Sequence, residues 1–141
     1  MTSENRAAVA RNYIETVATA SSGDEVAAFF APDAVMHELP NRIAPRGRRR
    51  TLADLRAAFG VGKRLMRSQR YDVVRIIEMG DEVAAEVEWT GTLAEPFQEL
   101  PAGFEMKAYC GMFLTFRDGK IVSQRNYDCY PPFEIGDTRP L

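Results

Sequence analysis

Three polar side chains near the C-terminal end of the chain are spaced for work on one surface. Gln124, Asn126 and Asp128 recur at every second position, the period at which side chains of a β-strand share a face. An inert core would not choose two amides and a carboxylate in a row. Asp128 could take or give a proton, with Asn126 and Gln124 orienting a polar group of a ligand. Alternation alone leaves open whether this face lines a cavity or a contact between subunits. A second carboxylate, Glu38, alternates with Met36 on a short strand, with His37 turned the other way. At the base of an apolar cavity, desolvation would raise its pKa towards that of a useful general base; the bland alternative is a strand-end glutamate in solvent. Tyr13 falls with Ala10, Ile14 and Val17 on one helical face. Its phenol could donate a hydrogen bond to a carbonyl oxygen gaining charge, or could be an ordinary core tyrosine.

The elements that must position these groups follow from local signals. Asp118-Gly119 lies between two long alternating runs, Phe104 to Arg117 and Lys120 to Tyr130. That pair suits a type I′ turn, which needs two positive φ angles. A two-residue turn sets Arg117 opposite Lys120, Phe113 opposite Gln124, Gly111 opposite Asn126 and Tyr109 opposite Asp128. Tyr109 and Phe113 then join the polar row. Met112, Leu114, Phe116 and Ile121 fall on the other face, which calls for a second copy of the chain to cover it. Upstream, helices are expected over Glu4–Ala20, from Ser22 to near Phe30, and from Thr51 to about Phe59, where Gly60 and Gly62 end the third. Strands are expected over Ala34–Leu39, Tyr71–Met79 and Glu82–Thr92, the last with Val83, Ala85, Val87 and Trp89 inward. Asn41–Arg50 reads as a basic loop. The loop Leu93–Gly103 carries Pro96, Phe97, Leu100 and Pro101, apolar enough to fold over something, and Trp89, Phe97 and Phe113 suit a core or cavity wall. Helices first and an antiparallel meander second is the α+β pattern.

Composition narrows the classes. A chain of 141 residues, 45% hydrophobic and 27% charged, fits one globular domain over 1–141. No apolar run is long enough to span a bilayer, and Met1–Glu4 begins no signal peptide, so a cytoplasmic protein is expected. A single histidine excludes a multi-histidine metal site, and Cys110 with Cys129 reads as a pair of reduced, buried thiols. The net charge of −2 hides a segment from Asn41 to Arg70 with ten basic residues and one acid, Asp54. Arg48-Arg49-Arg50 has no interleaved aromatic residue, so no nucleic-acid partner is expected, and the bland reading is a solvated face.

The element order resembles the nuclear-transport-factor-2-like superfamily, with its ketosteroid isomerase and SnoaL-like polyketide cyclase branches. Ala10-Arg11-Asn12-Tyr13-Ile14-Glu15 resembles the helix bearing the isomerases' oxyanion-hole tyrosine, which falls on Tyr13. Phe30 to Glu38 resembles the first-strand signature and puts Glu38 where the isomerases keep their proton-shuttling aspartate. Phe116 to Val122, followed by Asn126-Tyr127-Asp128, is similar to the usual family ending. The isomerases' second oxyanion donor would fall near Gly111 or Met112, and neither side chain can donate it. The limonene epoxide hydrolases are similar too, but their strand aspartate falls on Asn126 and their arginine has no counterpart over Val83–Trp89. The resemblance implies a cone: a curved antiparallel sheet of four or five strands wrapped around two to three N-terminal helices, with an internal apolar pocket. It implies a cofactor-free acid–base enzyme (isomerase, cyclase or dehydratase) acting next to a carbonyl of a small cyclic or polycyclic apolar ligand. Glu38, Tyr13 and Asp128 would be catalytic, and Asn126, Gln124, Tyr109, Phe113, Trp89, Met36 and Phe97 would contact substrate. The alternatives are epoxide-hydrolase-like water addition and a non-catalytic binding or dimerisation module. A homodimer through the outer sheet face is expected.

Overall fold

A computed structural model describes residues 5–133. The tail expected over 134–141 and the first four residues lie outside them. The elements are α1 (Arg6–Thr19), α2 (Gly23–Ala27), β1 (Phe30–Glu38), β2 (Arg48–Thr51), α3 (Leu52–Leu65), β3 (Met66–Met79), β4 (Glu82–Leu93), β5 (Glu105–Arg117) and β6 (Lys120–Cys129). The six strands form one curved sheet in the order β2-β1-β6-β5-β4-β3. From β3 to β6 it is the expected antiparallel meander; β1 then joins β6 in parallel, which makes the sheet mixed. No helix among the described residues is long and apolar enough to cross a membrane.

Helix α1 begins where the Asn5 side chain accepts from the Ala8 N–H at 3.1 Å, and it buries Ala10, Tyr13 and Ile14. Helix α3 opens on a complete capping box between Thr51 and Asp54. It does not stop at Gly60 but runs on to Leu65. An interior glycine costs only about 1 kcal/mol, and Lys63 near its end ties back to the Ala20 carbonyl at 2.7 Å. Three further elements exceed their sequence signals; β3, expected from Tyr71, starts at Met66. β1 starts at Phe30, absorbing Pro32 in an irregularity between Phe30 and Val35. The last part of the basic loop is strand β2, because Arg48 and Arg50 ladder against Glu38 and Met36.

The hairpin carries the main correction. Asp118 and Gly119 have φ of 51° and 77°, as a type I′ turn requires, and Arg117 pairs with Lys120. A bulge then intervenes: Phe116 pairs with Ile121, but Thr115 pairs with Ser123, leaving Val122 as an extra residue. One extra residue moves every later side chain of β6 to the opposite face. Gln124, Asn126 and Asp128 therefore stand opposite Leu114, Met112 and Cys110, not opposite Phe113, Gly111 and Tyr109. Met112, Leu114, Phe116 and Ile121 are core residues rather than an open second face. The outward face instead carries Phe113, half exposed at 50%, and Tyr127, whose rings meet edge to face at 5.6 Å.

One glycine shapes the inner face. The Trp89 indole lies along the sheet over Gly91 and donates from Nε1 to Gln69 Oε1 at 3.1 Å. A Cβ on Gly91 would sit 2.5 Å from Trp89 Cζ2. Gly91→Ala should therefore displace the indole and destabilise the fold by about 1–3 kcal/mol. Urea unfolding measures the cost, and the emission of the single tryptophan reports the displacement; unchanged values of both would contradict the packing described.

Candidate active site

Burial of a polar row demands partners, and the inner face supplies them in sequence. The hydroxyl of Tyr13, on the buried face of α1, donates to Gln124 Oε1 at 2.7 Å. Gln124 Nε2 in turn donates to Asn126 Oδ1 at 2.9 Å. Gln124 and Asn126 are buried at 1% and 7% exposure. The chain fixes both amide orientations and leaves the Asn126 NH2 group as a donor with no partner among the described residues. The row borders a cavity of about 240 Å³ between α1 and the sheet. Tyr13, Ile14 and Val17 of α1 line one side; Met36, Tyr71, Trp89, Ala108, Cys110 and Met112 line the sheet side, with Gln124, Asn126, Asp128 and Tyr130.

Asp128 is the electrostatic anomaly of this cavity. Its Oδ1 is buried with no hydrogen-bond partner among the described residues. Burial pushes its carboxyl up to about 6; the nearby Glu38 charge adds to the rise, and the Cys110 thiol beside it partly counters it. The same desolvation pushes the Tyr13, Tyr71 and Tyr130 phenols and the Cys110 thiol far above their ordinary values. These four groups are therefore neutral donors at physiological pH.

Glu38 is placed differently from the sequence expectation. It shares the inner face with Asn126, its ladder partner, but is not part of the cavity wall. Its carboxylate, 12% exposed, accepts from Asn41 Nδ2 at 2.8 Å and is flanked by Arg50 at 3.6 Å and Arg48 at 4.0 Å. The acid and phenol that converge on the void are Asp128 and Tyr13. Of the expected contacts, Met36, Trp89, Gln124 and Asn126 line it together with them. Tyr109 and Phe113 do not, because the bulge turns them outward. Phe97 bridges to Leu100 within its own loop and packs on the core away from the cavity. Cys129, expected to be buried, is exposed. Tyr71, Cys110 and Tyr130 were missed. Tyr130 continues the alternation that carries Asp128, and Tyr71 stands opposite Trp89 across the β3–β4 ladder. No cluster of three His, Cys, Asp or Glu suited to a metal ion occurs among the described residues.

The curved sheet closed over α1 around a cavity defines an α+β cone of the nuclear-transport-factor-2-like superfamily. Residues 10–124 match the SnoaL-like domain, and the chain belongs to that family. Among solved structures, IdmH, a proposed polyketide cyclase from Streptomyces antibioticus, superposes with a TM-score of 0.74 at 21% identity, over 89% of this chain and 92% of its own. AclR, a proposed hydroxylase from Streptomyces galilaeus, gives 0.72 at 19% identity, over 87% and 77%. An LEH-like epoxide hydrolase of M. tuberculosis gives 0.63 at 14%, over 89% and 82%. At these identities the likeness carries the fold alone. No curated protein matches the sequence significantly.

The raised carboxyl fixes the sign of a stability effect. Asp128 titrates near 6 when folded and near about 3.9 in an unfolded chain. Between those values the folded state holds the extra proton, so the contribution of Asp128 to stability falls as pH rises from about 4 to about 6. Asp128→Asn should remove this dependence and exceed the parent in stability by about 2 kcal/mol above pH 7, with no advantage near pH 4. Urea midpoints of both proteins across that range test it; parallel pH curves would contradict it.

Proposed function

We propose that this protein is an acid–base enzyme that moves a proton next to a carbonyl group of a small cyclic substrate. The observation that carries the reading is the Asp128 carboxylate on the cavity wall, raised to about 6, with its Oδ1 buried and unpartnered among the described residues. A base of that pKa is mostly ionised at neutral pH, yet basic enough to accept a carbon-bound proton when held against it. As the proton leaves, charge builds on the carbonyl oxygen. The Asn126 NH2 group is the oriented donor for that oxygen, and the Tyr71 hydroxyl, with no partner among the described residues, is a second. Tyr13 acts as a positioning residue: its hydroxyl is committed to Gln124, and through Gln124 it sets Asn126. Asp128, now a carboxylic acid, returns the proton to a different atom, which gives isomerisation, or to a leaving hydroxyl, which gives dehydration. A cavity of about 240 Å³ holds roughly eight liquid-water volumes, which suits one or two rings rather than a large polycycle.

The test needs no natural substrate. In D2O, small cyclic ketones such as 2-tetralone should exchange their α-hydrogens faster with the protein present, as followed by proton NMR. Asp128→Asn should lower that rate by ~10²–10⁴-fold. The acid limb of the rate should rise through pH about 6, where Asp128 ionises. Exchange that survives Asp128→Asn within a factor of about two would reject Asp128 as the base.

We propose further that the outward sheet face pairs with a second copy. One cross-strand row there reads Arg49–His37–Arg125–Phe113, and the exposed Phe113 and Tyr127 rings meet beside it. A two-fold axis near Phe113 and Tyr127 would bury these rings against their copies. Arg125→Glu combined with Phe113→Asp should turn a dimer into a monomer in sedimentation velocity. A wild-type monomer at high micromolar concentration would contradict the pairing.

A further inference from the structure

A partly buried carboxylate, one oxygen wholly so, with no cation beside it among the described residues is an expensive feature unless something else supplies the opposite charge. Among the described residues, no lysine or arginine lines the cavity. The arginines nearest the site, Arg48 and Arg50, are committed to Glu38 at 4.0 and 3.6 Å. Among the described residues, the donor at Asp128 is the weak Cys110 thiol. Any neutral guest that fills the cavity strips water from this carboxylate and gives little back, and an anionic guest is repelled.

Four of the lining side chains are aromatic, among aliphatic residues and the amides of Gln124 and Asn126. Tyr13 from α1, Tyr71 from β3, Trp89 from β4 and Tyr130 beyond β6 enclose the void from four parts of the fold. Aromatic rings attract a cation through their electron-rich faces, and the attraction grows when water is excluded. Rings plus one carboxylate give an alkylammonium group what it needs: apolar contact for its carbons and a counter-charge for its nitrogen.

From this juxtaposition we propose that the cavity binds a small tertiary or quaternary ammonium ion, seated against Asp128 and walled by Tyr13, Tyr71, Trp89 and Tyr130. A choline-sized ion fits within about 240 Å³. This inference uses the same cavity as the proposed reaction but does not depend on that reaction. An ammonium ion would hold the site as a ligand or as a competitor of the ketone, or would be the charged group of a substrate that also carries a carbonyl.

The experiment compares choline chloride with 3,3-dimethyl-1-butanol, its uncharged isostere, by titration calorimetry on the full chain at constant ionic strength. At pH 8, choline should bind about tenfold or more tightly than the alcohol. Wild-type protein at pH 5, where Asp128 is protonated, and Asp128→Asn at pH 8 should each bring the two probes to within about twofold. The other titratable groups around Asp128 are Glu38, Arg48, Cys110, Tyr71 and Tyr130; the Asp128→Asn arm separates its charge from theirs. Tyr71→Leu should weaken choline and leave the alcohol unchanged. Equal affinities at pH 8, no choline binding, or a preference that persists both at pH 5 and in Asp128→Asn would overturn the proposal. Because no turnover is measured, that result would leave the proton-transfer reading standing.

Discussion

The hydrogen bond from Tyr13 to Gln124 ties α1 to the centre of the sheet. It spans 111 residues of sequence, and much of the site follows from it. A glutamine at 1% exposure is tolerated only with its polar atoms matched, and an unmatched one costs about 1–3 kcal/mol. Tyr13 fills the acceptor side, so the donor side must turn to Asn126. Asn126 is thereby left with its own NH2 group towards the cavity. Two residues on, the chain of partners ends, and Asp128 Oδ1 has no hydrogen-bond partner among the described residues. The contrast between a satisfied amide pair and an unsatisfied carboxylate, on one strand and one face, is the chemical content of the molecule.

Much of this was legible in the residues. Alternation on the last strand placed Gln124, Asn126 and Asp128 together, helical spacing turned Tyr13 inward, and Asp118-Gly119 announced the turn that is found. What alternation could not reveal was which residues face them. The ladder is sensitive to a single extra residue, and Val122 carries no glycine or proline to mark it as a bulge. The loss of Tyr109 and Phe113 from the site follows from that one position. Tyr71 and Tyr130 were hidden for another reason. A tyrosine on a strand reads the same whether its hydroxyl meets solvent or a void, and only the path of the sheet across α1 decides it.

The two carboxylates near the site show how neighbours divide roles. Glu38 and Asp128 occupy adjacent strands on the same face, yet Glu38 is enclosed by Asn41, Arg48 and Arg50 while Asp128 has only a thiol. Part of the basic segment, which read as a solvated surface, is therefore committed to a buried partner. Strand β2 exists to deliver it: its alternation sends Arg48 and Arg50 inward and Arg49 outward. The cost of the arrangement falls on Asp128, whose ionisation is opposed by burial and by the Glu38 charge. A protein selected for stability alone would place an amide or an apolar residue there.

The central claim is that the Asp128 carboxyl is held out of water. The most direct measurement is its titration in the native protein, followed by the carbon-13 shift of the side-chain carboxyl and assigned by its absence in Asp128→Asn. The account requires a midpoint at about 6. A midpoint of about 4, the value of a solvated aspartate, would mean that water reaches the carboxylate freely, and the proposed base would be lost.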